Sequence, residues 1–297
     1  MSYKASILFL TITFLIASCD LGGVKSGTDE NVDTLTQVID TINEKVTLIE
    51  GDEIVLLQDS IQGTANDKVY QREDGLRIEW TIKNTDRPIQ LNDVLMVNYK
   101  ARVASGEQYD SNEEVGEPVP LKTNIGMMVK GLEAGLLKMN VGDKGRILIP
   151  STLGYGKAGY STIVPPDADL IFDIEIVRRV EPIILEEGVK VYVWKKAKNG
   201  APIEKNQLVT FDYFAYTTGK NGKMYDNSYK KSEPFSFRLE NDNVMDGLHH
   251  GIGALKEGEN AFIEIPSKLA YGSKGLIDLV PKNTDIVYDV RISRVEL

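Results

Sequence analysis

Hydrophobic residues follow two rhythms along the 297-residue chain. From Gly75 onward they mostly alternate with polar ones. Leu76, Ile78, Trp80 and Ile82 share one face of a period-two pattern, which predicts a half-buried strand. Further strands are predicted at 94–99, 145–149, 169–176, 189–194, 208–214, 261–265 and 285–292. Two short stretches, 129–139 and 245–255, read as helices. Strands outnumber helices, which predicts α+β domains with a sheet packed on one helix. Ahead of Gly75 the rhythm changes. Val32, Leu35, Val38, Ile39, Ile42 and Val46 recur at spacings of three and four and make one helical face. Ile54, Leu57 and Ile61 repeat this weakly before Gly63 and Asn66 break it.

The strand-rich part is one pattern written twice. An offset of 116 residues lays Tyr109-Asp110 on Tyr225-Asp226, Gly131-Leu132 on Gly247-Leu248, and Ile149-Pro150-Ser151 on Ile265-Pro266-Ser267. It also lays Tyr155-Gly156 on Tyr271-Gly272, Val164-Pro165 on Val280-Pro281, and Asp173 on Asp289. A unit of this length is a domain, since solenoid repeats run about 20–50 residues. The predicted organisation is residues 1–18, a targeting segment; 19–74, a tether and partly helical spacer; 75–181, a first domain; and 186–297, a second. The acidic stretch with Pro182 between them predicts a short linker and limited freedom between the domains.

Composition narrows the function. A formal net charge of −10 and a pI near 4.9 argue against nucleic-acid binding, which needs a basic face. Lys4 and the apolar run of residues 5–16 form a segment too short to span a bilayer. It ends in Leu15-Ile16-Ala17-Ser18-Cys19, which resembles the lipobox of bacterial lipoproteins. Cys19 is the one cysteine of the chain, so no internal disulfide can form. The expectation is an exported protein, lipid-anchored through Cys19 to a bacterial membrane on its periplasmic or cell-surface side. The plainer alternative is a secretory signal followed by a stray cysteine. His249 and His250, the only histidines, are adjacent on a predicted helix and do not share a face. No metal site and no cofactor are expected.

The ordered motifs carry a family likeness. Each copy has a strand ending in tyrosine (Tyr99, Tyr213), an aromatic-Asp pair and an x-Gly-Leu helix start. An Ile-Pro-x-x-Leu-x-Tyr-Gly turn in the first copy (Ile149 to Gly156) and its counterpart in the second (Ile265 to Gly272) follow, and then a Val-Pro loop runs into an aromatic-Asp strand. In this order, twice, the set resembles FKBP-type peptidyl-prolyl cis–trans isomerase domains. The resemblance implies five or six antiparallel strands wrapped around a short helix, with an apolar pocket for a proline ring. By family position the first pocket is lined by Tyr99, Tyr109, Asp110, Met128, Val129, Leu132, Tyr155, Val164 and Phe172. The second is lined by Tyr213, Tyr225, Asp226, Phe235, Val244, Met245, Leu248, Tyr271, Val280 and Tyr288. The implied hydrogen-bond donors are the Tyr155 and Tyr271 hydroxyls and the backbone N–H groups of Val129 and Met245.

The implied activity is isomerisation of X-Pro bonds in unfolded or partly folded exported chains. A non-catalytic peptide-binding chaperone or scaffold on the same fold is the alternative, and a structural part of a surface assembly is a third. Taken singly, each tyrosine could be a core residue, and Asp110 could simply accept a hydrogen bond from Tyr99. Some positions depart from the family. Leu132 and Leu248 stand where tryptophan is familiar, Val119 stands opposite Phe235, and Lys282 follows Pro281. Tyr288 replaces Phe172, and its hydroxyl would need a partner in an apolar wall. Neither copy is free of departures, and the Phe172 wall and the Val164-Pro165-Pro166 loop favour the first as the better catalyst.

Overall fold

The computed structural model of the chain describes residues 68–297 apart from Asp86. Cys19 and the helical patterns at 31–46 and 53–61 lie outside the described residues. Two seven-stranded antiparallel sheets follow one another. The first contains β1 (Val69–Gln71), β2 (Arg77–Ile82), β3 (Val94–Val103), β4 (Gln108–Ser111), β5 (Val119–Lys122), β6 (Lys144–Ile149) and β7 (Leu170–Val180). Their spatial order is β1-β2-β6-β7-β3-β4, with β5 also beside β3. The second contains β8 (Ile183–Ile184), β9 (Lys190–Lys195), β10 (Leu208–Thr217), β11 (Met224–Asn227), β12 (Phe235–Arg238), β13 (Asn260–Ile265) and β14 (Ile286–Glu296). Its order, β8-β9-β13-β14-β10-β11 with β12 beside β10, repeats the first.

Each sheet has more strands than the five or six implied by the resemblance. β1 and β8, of three and two residues, are too short to register as alternation. β8 also occupies the stretch read as a linker. Ile183 and Ile184 pair with Val191 and Lys190, so the connection is itself part of the second sheet.

β3 serves two partners on one edge. Its first half pairs with β5 from Val94–Lys122 to Val97–Val119, and its second half with β4 from Lys100–Ser111 onward. Tyr99 falls in the gap between them. Its N–H, which has no strand partner on that side, donates to Asn112 Oδ1 at 2.7 Å. In the second domain β12 and β11 leave the same gap at Tyr213, whose N–H donates to Ser228 Oγ at 3.2 Å.

The helices α1 (Lys130–Leu136) and α2 (Asp246–Gly253) are shorter than their patterns suggested. Segments of this length are not stable alone and depend on packing. Glycine makes that packing close. A Cβ on Gly131 would sit 2.2 Å from Ile149 Cγ2, and one on Gly247 2.1 Å from Ile265 Cγ2. Each helix therefore lies flush on the concave face of its sheet. Leu132 and Leu136, or Leu248 and Ile252, point into the core.

Each domain has its own core, and a third joins them. Val94, Met96, Ile125 and Val180 of the first domain pack on Tyr192, Phe214, Tyr216, Phe262 and Val287 of the second. These second-domain residues lie on the outer sheet face, away from α2. The equivalent face of the first domain is charged. Arg146 stands where the second domain has Phe262, with Asp173 beside it at 2.8 Å. Beneath the joint, Lys122 is fully buried, with Nζ 2.9 Å from Glu264 Oε2 and 4.4 Å from the centre of the Tyr192 ring. Lys190 reaches the other oxygen of Glu264 at 3.0 Å. Burial pulls Lys122 below the usual lysine range more than its partner restores it. Burial works against the ionised Glu264 as well, but two lysines outweigh it and hold its carboxyl below the usual range.

Candidate functional site

The gap in β3 creates the first cleft. With no strand on that edge, the Tyr99 ring packs on the first domain's core cluster, and its hydroxyl donates to Asp110 Oδ2 at 2.7 Å. Phe172 on β7, opposite Ala101, stacks on Tyr99 with ring centres 6.3 Å apart. Tyr109 meets Phe172 edge-on at 6.4 Å. Leu132 and Val164 are buried beneath, while Met128, Val129, Tyr155 and Val119 form half-buried walls. Every first-domain residue proposed from the sequence thus belongs to one apolar cluster, or, for Asp110, is hydrogen-bonded to it. The suspicion that Asp110 accepts from Tyr99 is correct. The bond fixes the Tyr99 ring and leaves a carboxylate on an apolar wall.

The electrostatics follow from burial. Desolvation pushes Asp110 above the usual carboxylate range, although hydrogen bonds from Tyr99 and the Ser111 backbone oppose it. Burial also raises Tyr99, Tyr109 and Tyr155, the last to about 12, so all three hydroxyls are neutral donors at physiological pH. The Tyr109 hydroxyl is buried and has no hydrogen-bond partner among the described residues. Tyr155 stacks on Tyr160 at 5.0 Å, a contact that sequence reasoning missed. Tyr160 lies in the loop before Val164 and has no aromatic counterpart in the second copy, which places Leu276 there.

The second cleft repeats the frame with different chemistry. Tyr213 donates to Asp226 Oδ2 at 2.7 Å, as in the first. Asp226 also has Lys230 Nζ at 3.7 Å. Tyr288, at the position of Phe172, lies 5.2 Å from the Tyr213 ring. Its hydroxyl does find the partner that its burial demands, Tyr225, at 3.4 Å. Tyr271 meets Tyr225 edge-on at 6.2 Å. Two hydroxyls here satisfy one another. Leu248 and Val280 are buried beneath, and Val244 and Met245 line the side. Phe235 packs on Phe211 and Tyr213 but is 38 % exposed, so it belongs to the rim.

Both helices begin at the cleft. Val129 and Met245 are N-caps with extended backbone (φ −64°, ψ 146° and φ −58°, ψ 139°) and no side-chain cap. Their N–H groups belong to the set a helix leaves unbonded at its start. A side chain from each helix ties the loop leading into it. Glu133 accepts from the Asn124 N–H. At the same position in the second domain, His249 Nδ1 accepts from the Glu240 N–H at 3.0 Å, and Nε2 lies 3.0 Å from Asp242 O. That pattern requires a neutral ring with its proton on Nε2. His249 is therefore a loop anchor. Among the described residues no group of three or more His, Cys, Asp or Glu could hold a metal ion.

Comparison with known proteins agrees with this geometry. A family model described as FKBP-type peptidyl-prolyl cis-trans isomerase matches residues 85–177 and again 200–293. Peptidyl-prolyl cis-trans isomerase FKBP10 of Mus musculus is 27 % identical over 214 residues, covering 69 % of this chain and 34 % of that protein. FKBP9 of Rattus norvegicus is 26 % identical over 227 residues, covering 75 % of this chain and 39 % of that one. The chain spans about a third of the length of the curated relatives it matches. Among solved structures, the three FKBP domains of wheat FKBP73 align with a TM-score of 0.38 at 21 % identity, over 75 % of this chain and 95 % of that one.

Proposed function

The chain belongs to the FKBP-type peptidyl-prolyl cis–trans isomerase family, and from that membership we propose that it isomerises X-Pro bonds in unfolded or partly folded chains, chiefly at its first cleft. One observation carries the reading. A tyrosine in a strand-edge gap, bonded to an aspartate at 2.7 Å, sets an aromatic wall beside a helix N-terminus.

Rotation about an X-Pro bond breaks no σ bond, so the site needs no nucleophile or general base. The obstacle is amide resonance, about 18–20 kcal/mol. As the amide twists, its charge-separated character falls, and a dry apolar wall suits it better than water does. Phe172, Leu132 and Val164 would hold the pyrrolidine ring, with Tyr109 closing one side. The Val129 N–H and the Tyr155 hydroxyl would take the peptide carbonyls, and Asp110 would hold Tyr99 upright. In the second cleft Met245 N–H, Tyr271 and Leu248 take the equivalent places. A thousandfold acceleration needs only about 4 kcal/mol of preference for the twisted form. The Tyr225–Tyr288 bond favours a second reading for the other cleft, as a weaker catalyst or a peptide-holding module.

We also propose that residues 1–18 direct export and that Cys19 carries a lipid anchor, on the strength of the apolar run and the motif before the cysteine. Labelling with a fatty-acid analogue in a bacterial host should mark the parent chain and not Cys19→Ala; equal labelling of both removes this proposal. For the activity, a protease-coupled assay on a proline tetrapeptide with the full chain is the test. Acceleration that Asp110→Ala lowers about tenfold or more supports the site, and no acceleration by the parent refutes the enzymatic reading.

A further inference from the structure

Residues 124–129 run from the joint between the domains to the first cleft. Ile125 is fully buried in the shared core and Met127 packs on it, whereas Met128 and Val129 pack on the cleft cluster. Asn124, where this loop begins, is clamped from two sides. Glu133 of α1 takes its N–H, and the Gly219 N–H of the second domain donates to its carbonyl oxygen at 2.9 Å. Gly219 belongs to the β10–β11 hairpin, whose backbone abuts the loop. A Cβ on Gly126 would sit 1.9 Å from Gly222 O, and one on Gly222 2.8 Å from the Ile125 carbonyl carbon. The matching hairpin of the first domain has nothing within 4 Å of a Cβ on Gly106. Two domains merely in contact do not require glycine facing glycine; backbones seated on each other do.

We infer that the β10–β11 hairpin of the second domain is a positioning element for the first cleft, holding loop 124–129 so that Met128 and the Val129 N–H face the bound peptide. The second domain serves the first one's reaction from behind, whatever its own cleft does. This rests on the first cleft being the isomerase site. An isolated first domain would lose the hairpin and expose Val94, Met96, Ile125 and Val180, so the full chain is the proper test object.

The experiment uses the full chain carrying Asp226→Asn, which mutes the second cleft. To this is added Gly222→Ala, or, where that chain does not fold, Ile125→Ala, which removes a contact without adding atoms. Hydrogen exchange is followed at residues 124–129 together with kcat and KM. The expected result is exchange quickened about tenfold in loop 124–129 beyond any general quickening, and kcat/KM lowered about tenfold, chiefly through kcat, at a temperature where circular dichroism shows the variant folded; a displacement of about 1 Å near a reacting group has effects of that order or more. Unchanged exchange, or quickened exchange with an unchanged rate, overturns the inference. A parent chain without isomerase activity refutes the proposed function instead. The exchange arm then decides alone: quickening supports the positioning and its absence overturns it.

Discussion

The two domains share a scaffold and differ on two faces. In the first cleft Phe172 makes a wall without a hydroxyl, and the Tyr109 hydroxyl beside it has no hydrogen-bond partner among the described residues. In the second, Tyr288 replaces that wall and binds the hydroxyl of Tyr225, so the polar groups are satisfied before any peptide arrives. Behind the clefts the contrast runs the other way. The first sheet shows Arg146 and Asp173 to solvent, whereas the second buries Phe262, Val287 and Glu264 against its neighbour. A repeated domain can thus vary the polar groups of its cleft in one copy and cover the outer face of its sheet in the other.

The largest effect should come from the joint. Glu264→Ala leaves Lys122 buried without its carboxylate, and breaking such a pair costs about 3–5 kcal/mol. Denaturant unfolding of the full chain should lose about that much. The double variant Lys122→Met with Glu264→Leu should recover most of it, whereas no recovery would show that the pair is more than a joint. Next in size is an exchange of walls. Phe172→Tyr offers Tyr109 the partner that Tyr225 already has, and should lower kcat/KM about fivefold, corresponding to about 1 kcal/mol. Tyr288→Phe should do the reverse for the second cleft.

Stability should separate the two hydroxyls. A buried unpartnered hydroxyl costs about 1–3 kcal/mol. Tyr109→Phe should therefore raise the unfolding free energy by about 1 kcal/mol while weakening peptide binding. Tyr225→Phe should lower stability, because it removes a bond that exists; equal signs for the two would erase the contrast. The smallest effect concerns pH. In the folded chain burial raises the pKa of Asp110 above the ordinary carboxylate value it has when unfolded. Stability from the protonated form is fully present below that value and is lost as pH rises through the higher folded pKa. Asp110→Asn should lack this falling limb in a pH series of unfolding free energies, and so be relatively more stable at neutral pH while less active.

Much of this was legible in the residues. The tyrosine ending β3, the Tyr109-Asp110 pair and the Gly-Leu start of α1 each carry a local requirement: a gap in the sheet, a hydrogen bond, a close helix approach. Local requirements survive in a sequence read alone. The joint between the domains is not local, because an outward residue is meaningful only once its cover is known. It did leave a signal. β6 alternates from Lys144 to Ile149, while β13 runs Ala261-Phe262-Ile263 without a break, and β3 opens with Val94-Leu95-Met96-Val97. Such runs mark strands covered on both faces. The pairing of Tyr155 with Tyr160 was hidden for another reason: it sits in a loop whose return path no periodicity describes.

On the function proposed above, the first cleft catalyses and the second, though built on the same frame, contributes little. The direct measurement is kcat/KM for a proline peptide with the full chain carrying Asp110→Ala or Asp226→Ala, with folding of each checked by circular dichroism. Asp110→Ala should lose about tenfold or more, equivalent to about 1.4 kcal/mol, and Asp226→Ala less than about twofold. A folded Asp110→Ala chain that keeps the parental rate would contradict this reading.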